Sequence, residues 1–119
     1  MFADVVARVV AFLASRLAVP VSSQVPKVRP AAFVTVARVG GAADNRVVDR
    51  PVLQVRVWAG SEPAAAELAN EVRGLLFDLA SEPLVKRVEE SSGPADDVDL
   101  ESGHARVSLQ VRLTVRALR

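Results

Sequence analysis

The sequence contains no cysteine and no tyrosine, and only one histidine, one tryptophan and one methionine. Without thiols there is neither a disulfide framework nor a thiolate metal site, and a reducing compartment is compatible. No apolar run approaches the roughly 20 residues that a membrane-crossing helix needs, so no membrane partner is expected. The apolar N-terminal stretch from Phe2 to Pro20 is interrupted by Asp4 and Arg8 and has no cationic leader, so it reads as an ordinary helix and not as a signal segment. A large excess of one charge is also missing: 15 Lys and Arg stand against 14 Asp and Glu, for a formal charge of +1. Such a balance argues against a dedicated nucleic-acid binder.

Aromatic residues make up 4% of the chain, although half of it is hydrophobic. The core must therefore be built from Val, Leu and Ala, and the abundance of stiff, branched Val favours strands. At 119 residues one core suffices, and no linker or repeat divides the chain, so residues 1–119 read as a single domain.

The clearest strand is the last. From Ala105 to Ala117 the odd positions are apolar, while Arg106, Ser108, Gln110, Arg112, Thr114 and Arg116 occupy the even ones, so one face must enter a core and the other is polar. Earlier, "AFVTVARVGG" and "NRVVDRPVLQVRVWAG" read as the two arms of a hairpin, with Leu53, Val55 and Val57 on one side and Gln54, Arg56 and Trp58 on the other. Pro51 lacks a ladder donor, so the second arm is either at an edge there or begins after it. Pro20, Pro26 and Pro30 leave room for at most a short edge strand near Val21–Val25.

Two amphipathic helices are expected. The first places Phe2, Val5, Val6, Val9, Val10, Leu13 and Leu17 on one side and stops before Pro20. The second starts at a Ser61 cap with Pro63 in its first turn and carries Leu68, Val72, Leu75, Leu76 and Leu79 as its stripe. "LVKRVEES" is a weaker strand, and "SGPADDVDLESGH" reads as an acidic loop. Helix, hairpin, helix and two strands give an α+β fold: an antiparallel sheet of four or so strands with two helices packed on one face.

Catalytic signals are weak. His104 has Ser102 and Asp99 near it in sequence, but in a polar loop without a nucleophile elbow. "DDVDLESG" resembles a calcium loop whose glycine falls one place late and whose twelfth-position glutamate is missing. Gly40 and Gly41 join strand to strand with no lysine following, which suits a turn and not a phosphate cradle. No catalytic residue, metal or cofactor is expected. Trp58 on the polar side of its strand and Phe77 on the back of its helix stand as interface candidates, since exposed large apolar groups mark contact surfaces. The alternative is that Trp58 tucks under a loop and Phe77 packs at a domain corner.

Taken in order, "FVTVARVGG", "NRVVDRPVLQVRVWAGSEPAAAELANEVRGLL" and "DLESGHARVSLQVRLTVRAL" resemble the tail terminator, or tail completion, proteins of long-tailed phages that infect actinobacteria. The telling pieces are the Val39-Gly40-Gly41 turn, the Asp49-Arg50-Pro51 step, Trp58-Ala59 before an Ala-rich helix, and a Ser-Gly-x-x-Arg run before the last strand. The resemblance implies a non-enzymatic virion subunit, assembled in the host cytoplasm, that forms a homohexameric ring at the tail neck. Its implied partners are copies of itself, the tail tube protein and a head completion or stopper protein, with genomic DNA passing through the pore without sequence-specific binding. The expected subunit contacts then use Trp58, Phe77, Arg56, Arg106, Arg112 and Arg116, with Asp97, Asp99 and Glu101 as their acidic counterparts. The alternatives are a ligand-binding or regulatory α+β module that dimerises through its sheet, or another connector or minor tail subunit.

Overall fold

A computed structural model describes residues 1–98 and 103–118, with the side chains of 97 and 98 outside the description. The elements are α1 (Val5–Ala14), β1 (Val21–Ser22), β2 (Phe33–Gly40), β3 (Val48–Asp49), β4 (Val52–Ala59), α2 (Glu62–Asp78) running into a 3-10 turn (Leu79–Ser81), β5 (Val85–Val98) and β6 (Ala105–Arg116). The fold is α+β.

Both helices begin on side-chain caps. The Asp4 carboxylate accepts from the Ala7 N–H at 3.1 Å and the Ser61 hydroxyl from the Ala64 N–H at 3.3 Å, each satisfying one of the donors that a first turn leaves unpaired. Their apolar stripes cover one face of the sheet. Val5, Val9, Phe12 and Leu13 from α1, and Ala65, Ala69, Val72 and Leu76 from α2, join Val34, Val36, Leu53, Val55, Val57, Val107, Leu109, Val111 and Leu113 in one buried cluster. The wheel for α1 was partly misplaced: Phe2 precedes the helix and is 42% exposed, while Phe12 is buried.

β6 is an inner strand of the sheet, paired along both edges. Its first eight residues pair with β4, its last two with β3, and nearly its whole opposite edge with β5. Asp49 faces Val115 and Val52 faces Arg112, so three steps on one strand match three on the other and β3 and β4 are one strand in a single register. Pro51 interrupts the ladder without shifting it: Leu113 N–H donates to the Pro51 carbonyl at 3.0 Å, and the return bond lacks its donor.

The expected arrangement of about four antiparallel strands is corrected at both edges. β1 pairs with β2 in parallel, giving a mixed sheet. At the other edge β5 runs on through Ser91–Val98, most of the stretch expected as an acidic loop. Strand formers are scarce there, but β6 presents a full edge of backbone groups that must find partners. The pairing is bought with three register shifts, and Pro94 falls inside the one between Ser92 and Ala95, where no ladder donor is required.

Candidate functional site

The face of the sheet away from the helices carries cross-strand rows set by the register. Phe33 lies opposite Trp58, Trp58 opposite Arg106, and Arg106 opposite Asp97; in the next row Thr35, Arg56, Ser108 and Ala95 follow one another, and farther along Arg112 stands between Val52 and Glu89. Arg56, Arg106, Arg112 and Arg116 are thus brought to one face as the alternation required, each half-buried.

Trp58 is corrected as an exposed contact: it is 2% accessible. Its ring stacks on Phe33 with centroids 4.7 Å apart and 13° between planes, and the Arg106 guanidinium carbon lies 5.6 Å from its centroid. The indole is therefore enclosed by its own cross-strand neighbours, an arrangement that stabilises by both stacking and cation–π attraction. Phe33, which sequence reasoning placed only within a strand, is the missing partner; its position opposite Trp58 follows once the hairpin register is known. Phe77 is 46% exposed on α2, as expected.

The charges on this face are lopsided. Arg50, Arg87 and Glu89 form the ion pairs Arg50–Glu89 at 3.8 Å and Arg87–Glu89 at 3.3 Å, so a single carboxylate serves two cations. Arg56, Arg112 and Arg116 make no ion pair among the described residues, and the Nε atoms of Arg56 and Arg116 are buried without a hydrogen-bond partner among them. Of the acids proposed to meet these arginines, Asp99 and Glu101 lie outside the described residues, and Asp97 is placed by its backbone in β5, in register with Arg106 of the same chain. The segment read as an acidic loop is thus a strand of the same sheet up to Val98.

A second cluster, not anticipated, closes the hairpin end. Arg38 donates to both Asp49 carboxylate oxygens at 2.8 and 3.1 Å, and to the carbonyls of Gly40 and Gly41 at 3.2 and 2.8 Å. Asp49 is buried and also accepts from the Arg50 N–H at 3.0 Å. The bidentate bond to Asp49 raises the Arg38 pKa above its ordinary value, as expected for a cation hydrogen-bonded to a carboxylate. Gly41 has φ +87°, and a Cβ there would lie 2.0 Å from the Arg50 carbonyl oxygen. Only glycine fits, because the turn passes against the Arg50-Pro51 backbone.

On the helix side, Arg73 of α2 forks onto Glu90 of β5 at 2.7 and 2.8 Å, and the hydrogen bonds to Glu90 raise the Arg73 pKa. A cavity of about 340 Å³ opens between α1 and the start of β5, lined by Val9, Phe12, Leu79, Leu84 and Leu113 with Arg8, Arg16 and Glu82 also on its wall. The Arg16 guanidinium carbon sits 3.7 Å over the Phe12 ring centroid. Among the described residues no three His, Cys, Asp or Glu side chains are grouped to hold a metal ion, and no helix is long and apolar enough to cross a membrane.

No protein-family model matches the chain, and no curated protein matches it.

Proposed function

We propose that this protein is a structural ring subunit of the tail-terminator type: a non-catalytic α+β domain that assembles with copies of itself at the head-proximal end of a phage tail tube. There it stops tube growth and offers a surface to the head completion protein, with DNA passing through the pore. The observation that supports this reading most is the meeting of two signatures at one hairpin end. Val39-Gly40-Gly41 and Asp49-Arg50-Pro51, the segments on which the resemblance rests, are held together by the Arg38–Asp49 clamp and by the glycine-only contact at Gly41. Asp49 in one signature and Gly41 in the other are then required by one shared geometry. The arginine-bearing outer face supplies polar surface for partners, since a ring needs two different patches on each copy, closed by a heterologous contact.

The test is to add the purified chain to polymerising tail tubes and image the products. Tubes capped at one end by a ring of six copies are the expected result; tubes of unaltered length without a terminal ring would overturn the reading.

The cavity beside α1 favours a second reading, a ligand-binding or regulatory module that dimerises through its sheet. Mass in solution separates the two: that module gives two copies related by a two-fold axis, whereas the ring subunit gives six copies or a monomer that assembles only on tubes.

A further inference from the structure

The outward side of α2 carries Glu67, Glu71 and Asp78, all exposed, with Gly74 between them. None of these acids has a Lys or Arg three or four residues away on the helix, and Glu67 and Glu71 face each other at the i,i+4 spacing where like charges repel. The one arginine of α2, Arg73, is already engaged by Glu90. The three acids thus form a ridge that makes no ion pair among the described residues, with the exposed Phe77 about a quarter turn to its side, next to Arg73.

The opposite side of the molecule has the reverse character. Arg56, Arg112 and Arg116 project from the outer face of the sheet with no ion pair among the described residues, and Glu89 beside them is shared by two other arginines. Because α2 packs on the inner face, the ridge and the arginine face point away from each other within one chain. Neither can neutralise the other except between copies.

Glu67 and Asp78 are separated by roughly 17 Å along a helix rising 1.5 Å per residue, and the arginine face, from Arg56 in register with Ser108 to Arg116, runs roughly 26 Å along a strand rising about 3.3 Å per residue, long enough to receive the whole ridge.

We propose that the acidic ridge of α2, anchored by Phe77, docks on the arginine face of the β4–β6 sheet of a second copy of this chain. Two different patches meet, so the contact is head-to-tail and propagates to a ring or an open array according to its rotation. Complementary charge sets the register of the contact and its dependence on salt, while the aromatic anchor supplies the dry centre. The contact rests on the ring reading and deepens it by naming its two faces.

The test reverses the charges one face at a time and then together. Glu67→Arg with Glu71→Arg, or Arg112→Glu with Arg116→Glu, raises the concentration at which assemblies form by roughly tenfold or more. The four changes in one chain restore assembly, and added salt dissociates the unaltered protein. Far-UV circular dichroism checks that each variant is folded.

Because the chain has no cysteine, a cross-link gives a second readout without altering charge. Asn70→Cys on α2 and Gln110→Cys on the sheet are on opposite sides of a copy, so an oxidised ladder on a non-reducing gel joins different copies only. An equimolar mixture of the two single-cysteine chains gives the mixed dimer. Charge reversal on α2 that leaves the mass unchanged, a chain that stays monomeric at every concentration, or cysteine chains that give no ladder would overturn the proposal. A ladder ending at a number other than six keeps the contact and sinks the ring reading; six-copy rings on tubes without the cross-link do the opposite.

Discussion

The Arg38 guanidinium and the Asp49 carboxylate, eleven residues apart, meet through two near-parallel hydrogen bonds with the carboxylate almost fully buried. Arg38 is the partly exposed member and can rehydrate; Asp49 cannot. Asp49→Ala is therefore expected to cost about 2 kcal/mol, below the range for fully buried pairs, and to lower Tm by several degrees in a thermal melt. A group whose folded pKa is raised contributes stability that is present below its unfolded pKa and is lost only as pH rises through the folded value. For Arg38 that window lies beyond any working pH. The increment lost in Asp49→Ala should then be the same at about pH 7 and about pH 9, and an increment that fades between them would show that another group carries it.

Gly40 and Gly41 are adjacent and opposite in tolerance. Gly41→Ala forces a positive φ on a residue with a side chain and drives Cβ into the Arg50 carbonyl, with an expected loss of about 3 kcal/mol or more. Gly40→Ala meets nothing within 4 Å and should change stability by less than about 0.5 kcal/mol. Parallel urea titrations of the two variants separate them.

The single tryptophan is a built-in reporter. With Trp58 enclosed by Phe33 and Arg106, native fluorescence should resist acrylamide quenching and move to longer wavelength on unfolding. Trp58→Ala removes a buried stacked ring and should cost roughly 3–5 kcal/mol; a cost near zero, with strong quenching of the native chain, would return Trp58 to the surface.

Phe77→Ala gives the contrasting case. The ring is 46% exposed, so Tm should move by no more than a degree or two, since surface substitutions stay within about 0.5 kcal/mol. Its effect should be confined to self-association, read as a fall in average mass at equal protein concentration.

Most of the fold is legible in the sequence because the two periods are clean. Ala105–Ala117 alternates without a fault, and the Ser61 cap and Pro63 mark the start of α2 within a residue. Where the reading failed, the cause was tertiary. Ser91–Val98 has the composition of a loop, yet the open edge of β6 recruits it as a strand. Trp58 sits at a polar-face position, and its burial depends on Phe33 arriving opposite it, which only the register decides. The Arg38–Asp49 clamp joins residues whose proximity depends on the path of the turn between them. By contrast, the acids of α2 stood in plain helical spacing at 67, 71 and 78 and needed only to be counted on their own side of the wheel.

β6 is the last of the described strands along the chain and yet lies inside the sheet, with β3 and β4 on one edge and β5 on the other. Ala59 must find Ala105 across more than a third of the chain before this two-sided strand is in place, and closing so long a loop has to precede zipping the ladder. Until then the β2–β4 hairpin is an open sheet with Leu53, Val55 and Val57 unshielded on one border. The homecoming of β6, which makes the longest-range pairings of the sheet, is therefore the step expected to limit the folding rate.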